Sequence, residues 1–145
     1  MAPIPVKILR QGAILPTYGS REAAGADLYA CLEAPVTIEP GRTAFVPTGI
    51  AMEVPKGCAG LVYARSGLAC KRGLAPANKV GVVDSDYRGE IMVALHNHAG
   101  TPQRIENGER IAQMVITPVL TPEYQIVPEL SDTSRGAGGF GSTGK

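Results

Sequence analysis

Glycine and proline interrupt this chain so often that no long helix fits between them. Eighteen glycines and twelve prolines occur among its 145 residues, and this share of about 21% compares with roughly 12% in an average protein. The longest stretch without either residue is residues 90–99, which is shorter than the average helix of about 11–12 residues. The sequence therefore excludes a helical bundle.

Composition favours one globular domain and gives no sign of a nucleic-acid or membrane partner. Hydrophobic residues make up 44% of the chain and the net charge is +1, whereas disordered chains combine low hydrophobicity with high charge. A near-neutral chain offers no basic field for nucleic acid, and no apolar run is long enough to span a bilayer. Because the N-terminus lacks a signal-peptide pattern, we expect a soluble, cytoplasmic protein with no nucleic-acid or membrane partner.

Short apolar runs recur between turn residues and predict an all-β fold. Nine strands are expected, and residues 66–71 fit a short helix. The predicted strands cover residues 6–10, 26–31, 35–40, 44–54, 59–64, 79–84, 90–97, 110–116 and 124–127. Residues 131–145 instead hold five glycines and five Ser/Thr, which is typical of a mobile segment. We therefore expect a single β-barrel domain over residues 1–130 and a flexible C-terminal arm over residues 131–145.

Two of the four aspartates lie close together in a polar segment between two apolar runs. Residues 84–88 precede Gly89 and predict the tip of a β-hairpin. In an extended segment, Asp84 and Asp86 would lie on the same face, where they would suit a general base or a Mg²⁺ site. A solvated turn rich in Asp and Ser is the alternative.

Three other segments carry weaker signals. Arg65, Ser66 and Gly67 end an apolar run and open the short helix, so they could meet phosphate oxygens. Asp27 ends the triplet Gly25-Ala26-Asp27 at a strand start, where a tight turn into the sheet is the alternative. The glycine-rich tail could wrap an anion, with Arg135 adding charge and Phe140 a stacking face, or it could simply be disordered.

The cysteines suggest no disulfide framework or zinc knuckle, and the histidines give only a weak metal signal, since an H-x-H pair could bind a metal through one face of a strand. Cys31, Cys58 and Cys70 are an odd number without a C-x-x-C pair, which favours buried free thiols. His96 and His98 form an H-x-H pair, but no third His or Cys lies near them in sequence. We interpret them as ordinary strand histidines.

Five separated segments, taken in order, resemble the trimeric dUTPase family. They are AAGADLYA (23–30), ARSGLA (64–69), NKVGVVDSDYRGEIMV (78–93), GERIAQMVI (108–116) and RGAGGFGSTG (135–144). The resemblance implies an all-β, jelly-roll-like β-barrel of the β-clip type with one short helix. It also implies a homotrimer with active sites shared between subunits. Ala64 stands where proline is common, and Arg88 stands at a variable position, so Arg88 receives no role.

The resemblance further implies hydrolysis of dUTP to dUMP and pyrophosphate by water attack on the α-phosphorus, with Mg²⁺ on the triphosphate. Asp84 would orient and deprotonate the water and meet the 3′-hydroxyl, Gln113 would help to hold the water, and Asp27 would hold the metal through its water shell. Tyr87 would pack on the deoxyribose. The phosphate contacts would be Arg65, Ser66 and Gly67, and the uracil contacts would be Asn78, Gly81, Val82, Val83 and Met92. A third subunit's tail would add Arg135, Phe140, Gly141 and Ser142.

Two rival interpretations of the sequence remain open. A dCTP deaminase-related enzyme would carry an Ile-Asp-Pro-Gly-type hairpin, whereas this chain has VVDSDYRG there. A catalytically silent nucleotide-binding module would need neither a positioned base nor a lid, whereas Asp84, Gln113 and the whole tail are present. Both comparisons favour the dUTP hydrolase.

Overall fold

The computed structural model describes residues 3–139, which form twelve short β-strands and one helix. The strands are β1 (Val6–Ile8), β2 (Thr17–Tyr18), β3 (Ala26–Tyr29), β4 (Val36–Ile38), β5 (Thr43–Pro47), β6 (Ile50–Met52), β7 (Cys58–Tyr63), β8 (Leu74–Pro76), β9 (Gly81–Val83), β10 (Met92–Asn97), β11 (Gln103–Ile105) and β12 (Arg110–Pro118). The helix α1 covers Ser66–Arg72. The prediction of an all-β fold with one short helix is confirmed.

The strands pair in four antiparallel sheets. The largest has the order β2-β3-β12-β7-β9, a second has the order β5-β10-β8, and β1 pairs with β6 and β4 with β11. Buried side chains from all four sheets form one core, which includes Leu28, Val46, Ile50 and Ile105. The chain therefore wraps its sheets around a single apolar interior, as a jelly-roll-like barrel does.

Several predicted strands differ from the observed ones. The run 44–54 is divided into β5 and β6 by a turn at Gly49, whose φ is +72°. The strands β2, β8 and β11 were not predicted, because two or three residues are too few to show an alternating pattern. The strand predicted at 124–127 is wrong: Tyr124 and Ile126 are 96% and 100% exposed, and the described chain forms no strand after Pro118.

The helix α1 is held by its one buried side chain and by contacts at its C-terminal end. Leu68 packs into the core, and the helix ends at Gly73, whose N–H donates to the carbonyl of Ala69. Arg72 in the last turn donates to Gln103 Oε1 at 3.1 Å and also contacts Glu109. These contacts fix the helix against the barrel.

All three cysteines are free thiols, as predicted, but their expected burial is confirmed for one residue only. Cys31 is buried, Cys58 is partly buried and Cys70 is exposed. His96 Nδ1 lies 2.9 Å from Thr43 Oγ1 across the β5–β10 ladder, as expected of a strand histidine. No helix within residues 3–139 has the length and apolar character needed to cross a membrane.

Candidate active site

A cavity of about 240 Å³ opens between β9, the loop that follows it and β10. Seven of the residues predicted to meet the nucleoside or the attacking water line this cavity. They are Asn78, Gly81, Val82, Val83, Asp84, Tyr87 and Met92. The structure thus brings together the residues predicted to meet uracil and deoxyribose, with Asp84 beside them.

The cavity combines an apolar lining with a polar edge. Val62, Ile91 and Val93 are buried and contribute to its lining, while Val82 and Phe45 are 62% and 72% exposed. Exposed apolar side chains around a concave site are typical of ligand-binding grooves, where a few polar groups fix the orientation of the ligand. A flat apolar ring with polar groups on one edge would suit this lining.

A turn at Lys79 brings the amide side chain of Asn78 to the polar edge of the cavity. Lys79 has a φ of +66°, which is uncommon for a residue with a side chain. Its N–H donates to Pro76 O, and Val80 N–H donates to Asn78 O at 2.7 Å. The turn delays the start of β9 to Gly81 and brings the side chain of Asn78 to the cavity.

The segment predicted as a hairpin tip is a turn between two different sheets. Tyr87 N–H donates to Asp84 O at 3.1 Å, but β9 pairs with β7 while β10 pairs with β5 and β8. The hairpin prediction is therefore wrong. So is the shared face of Asp84 and Asp86, because the turn directs Asp86 to a separate cavity that Pro3 and Lys56 also line.

Tyr87 lies folded back on its own loop. Its hydroxyl donates to Glu90 O at 3.0 Å, and a Cβ at Gly89 would lie 2.3 Å from that hydroxyl oxygen. Arg88, which received no role from the sequence, donates to Ser85 O and Tyr87 O at 2.9 Å each. Glycine at 89 and these backbone contacts together set where the Tyr87 ring lies.

A second group of predicted residues meets on the large sheet. Asp27 of β3 lies opposite Gln113 of β12, which in turn lies opposite Tyr63 of β7. Arg65 Nε donates to Asp27 Oδ1 at 2.7 Å, and Gln113 Nε2 donates to Ala64 O at 2.9 Å. Ser66 and Gly67 follow Arg65 directly and are exposed. An acid, two donor groups and a helix start therefore adjoin one another.

Arg110 joins this second group and was missed by the sequence interpretation. Its Nη1 lies 3.3 Å from Asp27 Oδ2, so both oxygens of Asp27 carry a guanidinium. Arg110 and Gln113 are three residues apart, and regular alternation would send them to opposite faces of β12. A register shift between Arg110 and Ala112 brings both to Asp27. The only signal in the sequence was its place in the GERIAQMVI segment.

The two groups lie apart within one chain. Val83 pairs with Gly60, so Asp84 falls beside Ala59, whereas Gln113 pairs with Tyr63 four residues further along β7. Standard strand spacings give about 13 Å along the sheet and about 10 Å across it between Asp84 and Gln113. A single chain therefore does not place both residues on one reacting atom.

In the described part of the arm, Arg135 forms its side-chain hydrogen bond with another residue of the arm. This side chain is exposed and its Nε donates to Gly138 O at 2.8 Å. Phe140, Gly141 and Ser142 lie outside the described residues.

The family model described as dUTPase matches residues 11–144. The chain belongs to the dUTPase family. It is 54% identical over 131 residues to the deoxyuridine 5'-triphosphate nucleotidohydrolase of Desulfitobacterium hafniense, covering 90% of this chain and 87% of that protein. It is 46% identical to the protein of the same name from Burkholderia cenocepacia, covering 98% of both.

Solved structures of dUTPases share the fold. The dUTPase of Staphylococcus bacteriophage 80alpha, solved with dUPNHPP, superposes with a TM-score of 0.91 at 31% identity over the full length of both chains. A mutant dUTPase from phage phi11 of S. aureus, described for its coordination of a structural Mg(II) ion, gives 0.78 at 27% identity over 88% of this chain and 98% of that one. These superpositions show that the chain has the fold of the solved dUTPases.

Proposed function

We propose that this chain hydrolyses dUTP to dUMP and pyrophosphate, which lowers dUTP and supplies dUMP for thymidylate synthesis. The observation that carries the proposal is the cavity beside Asp84, where an apolar lining, an amide side chain and a carboxylate converge. The membership in the dUTPase family supports the same reaction.

Uracil is proposed to enter the cavity between β9 and β10. The Asn78 amide and the main-chain groups of Gly81, Val82, Val83 and Met92 would read its polar edge. Cytosine would present a donor where uracil has an acceptor, which would leave a buried polar group unpaired. Tyr87 would pack on the deoxyribose, where the 2′-hydroxyl of a ribonucleotide would clash or lose its hydrogen bonds.

The triphosphate is proposed to meet the group around Asp27. Arg65 and Arg110 are held as a pair by that carboxylate, and guanidinium groups bind phosphate oxygens in fixed geometry. Ser66 and Gly67 at the exposed start of α1 would add a hydroxyl and backbone N–H groups. The negative charge of Asp27 would thus allow the guanidinium groups of Arg65 and Arg110 to lie close together.

Asp84 and Gln113 are proposed to act on the attacking water. Gln113 Nε2 already donates to Ala64 O, which leaves its Oε1 to accept a hydrogen from water. The water oxygen would attack the α-phosphorus, Asp84 would take the water's proton, and the bond to the bridging oxygen would break to release pyrophosphate. Asp84 would also meet the 3′-hydroxyl, which ties the chemistry to a bound nucleoside.

The donor chemistry at Asp27 fits a hydrated Mg²⁺ on the substrate. Each carboxylate oxygen receives one guanidinium N–H and retains a lone pair for a water ligand. Mg²⁺ prefers oxygen ligands and usually keeps several waters beside substrate phosphates. When bound, the ion would neutralise phosphate charge, and Asp27 would hold it through water.

A homotrimer with shared sites is proposed because Asp84 and Gln113 lie far apart within one chain. The subunit also exposes an apolar segment after its last strand, residues 119–130, which a monomer would leave in water. Its exposed side chains include Leu120, Tyr124, Ile126 and Leu130. Contact of this segment with a neighbouring subunit would bury them and carry the arm toward another site.

Residues 1–130 are proposed to act as the barrel domain and residues 131–145 as a lid in the cytoplasmic enzyme. Phe140 would cover the uracil, while Arg135, Gly141 and Ser142 would meet the γ-phosphate side. Ordering such a segment costs roughly 1–2 kcal/mol per residue. Closure should therefore need the substrate's own contacts.

Release of pyrophosphate from dUTP, dCTP, dTTP and UTP, with and without Mg²⁺, tests the proposal. We expect Mg²⁺-dependent release from dUTP and strong discrimination against the other three. Deamination of dCTP would identify the related deaminase instead. Binding of dUTP without turnover would identify a silent nucleotide-binding module.

A further inference from the structure

We propose that Arg10 is a positioning residue that controls sugar discrimination through Glu90 and Tyr87. The inference rests on the proposed role of Tyr87 at the deoxyribose. Arg10 lies in the N-terminal segment, outside every segment that carries the family resemblance, and eighty residues separate it from Glu90 in sequence.

The first step is a two-pronged ion pair. Arg10 Nε donates to Glu90 Oε1 at 2.8 Å and Arg10 Nη2 donates to Oε2 at 2.9 Å. This paired geometry restrains a carboxylate more than a single contact does, because it fixes the plane of the group as well as its distance. The side chain of Glu90 is only 17% exposed, which limits competition from water.

The second step fixes the same carboxylate to the barrel. Gly49 N–H donates to Glu90 Oε1 at 2.8 Å, and Gly49 O accepts from the backbone N–H groups of Leu9 and Arg10. Gly49, Arg10 and Glu90 thus form a closed set of contacts. This set joins the N-terminal segment, the β5–β6 turn and the end of the loop that holds the nucleoside cavity.

The third step leads from Glu90 to the sugar. The Glu90 carbonyl accepts the hydroxyl of Tyr87 at 3.0 Å, and Glu90 and Tyr87 both line the cavity. Tyr87 is 44% exposed, so packing alone holds its ring weakly. A shift of the Glu90 backbone would therefore move the surface on which a deoxyribose is proposed to lie.

The test compares kcat/KM for dUTP and for UTP in Arg10→Gln, Tyr87→Phe and the double variant. The ratio of the two values is unaffected by loss of folded enzyme. We expect Arg10→Gln to lower it by about three- to tenfold, the size of couplings within one hydrogen-bond network. Because Tyr87→Phe removes the last contact of the network, the double variant should match Tyr87→Phe alone.

Two further variants separate this network from a general charge effect. Arg104→Gln removes another arginine–glutamate pair, to Glu106, in a part of the chain that does not line the cavity, and should leave the ratio unchanged. Arg10→Lys keeps the charge but loses the fork, so its ratio should lie between wild type and Arg10→Gln.

Three outcomes would overturn the inference, and each is distinct. An unchanged ratio in Arg10→Gln would show that the loop keeps Tyr87 in place without Arg10. Effects of Arg10→Gln and Tyr87→Phe that multiply would show independent action. A wild-type enzyme that does not discriminate dUTP from UTP would instead refute the proposed role of Tyr87, and the inference with it.

Discussion

Asp84 lies exposed at the cavity and forms no ion pair with any residue from 3 to 139. A carboxylate in that position is available to take a proton. We expect Asp84→Asn to bind substrate and to lower kcat by roughly 10²–10⁴, the usual contribution of a positioned general base. Asp86→Asn is the matched control, since Asp86 lies in the same turn but lines another cavity. Equal losses in the two variants would remove the special role of Asp84.

The lowered pKa of the Glu90 carboxyl makes the free energy of unfolding depend on pH, and the direction of that dependence can be stated. The hydrogen bond from Arg10 lowers the pKa of the Glu90 carboxyl, and the N–H of Gly49 adds to this against partial burial. A lowered folded-state pKa stabilises the fold fully above the ordinary carboxyl value of about 4.3, and the stabilisation is lost as pH falls through the lowered value. The Tm difference between wild type and Glu90→Gln should therefore be large at neutral pH and vanish in acid. A difference that grows in acid would contradict this sign.

At the scale of elements, the turn before β9 carries measurable strain. Lys79 adopts a positive φ at a cost of roughly 1–2 kcal/mol for a residue with a side chain. Lys79→Gly should be neutral or stabilising, whereas the β-branched Lys79→Val should lower stability by about 1 kcal/mol or more. Urea unfolding of both variants measures this. Equal stability in the two would mean that the turn adapts to its residue.

The sequence predicted the elements that carry clear alternation and missed those defined by pairing. β7, β10 and α1 lie within a residue or two of their expected bounds. β2 has two residues and gains its identity only from its pairing with β3. The run at 124–127 has the composition of a strand but no partner in the described chain. A local sequence pattern does not show which strands pair with each other. For the same reason the loop at 84–88 was predicted as a hairpin, although the strands on either side of it belong to different sheets.

The sequence predicted the candidate-site residues that lie in one continuous segment. It did not predict those that are brought together by the register of paired strands. Asn78 to Met92 are close in sequence, so one segment of the resemblance supplied most of the predicted residues that line the cavity. Arg110 reaches Asp27 only because β12 shifts register beside it. Arg10 contacts Glu90 although the two are 80 positions apart in sequence, so no local motif predicts the pair.

At the scale of the whole molecule, the residues proposed to form the site lie beside opposite ends of β7. Asp84 lies beside one end, and the group of Asp27, Arg65 and Gln113 lies beside the other. If one chain's cavity is completed by another chain's phosphate-binding group, an isolated subunit has every catalytic residue and no complete site. Light scattering should then find a trimer of about three 15.1 kDa subunits.

Mixed trimers test the shared site most directly. Asp84→Asn and Gln113→Ala subunits, each nearly inactive alone, are mixed in equal amounts under conditions that exchange subunits. If the two residues of a site come from different chains, random assembly leaves about a quarter of the sites intact, and about that fraction of wild-type activity should appear. If both residues come from one chain, every site carries a defect. Mixed trimers confirmed by mass that show no more activity than the parents would contradict the shared site.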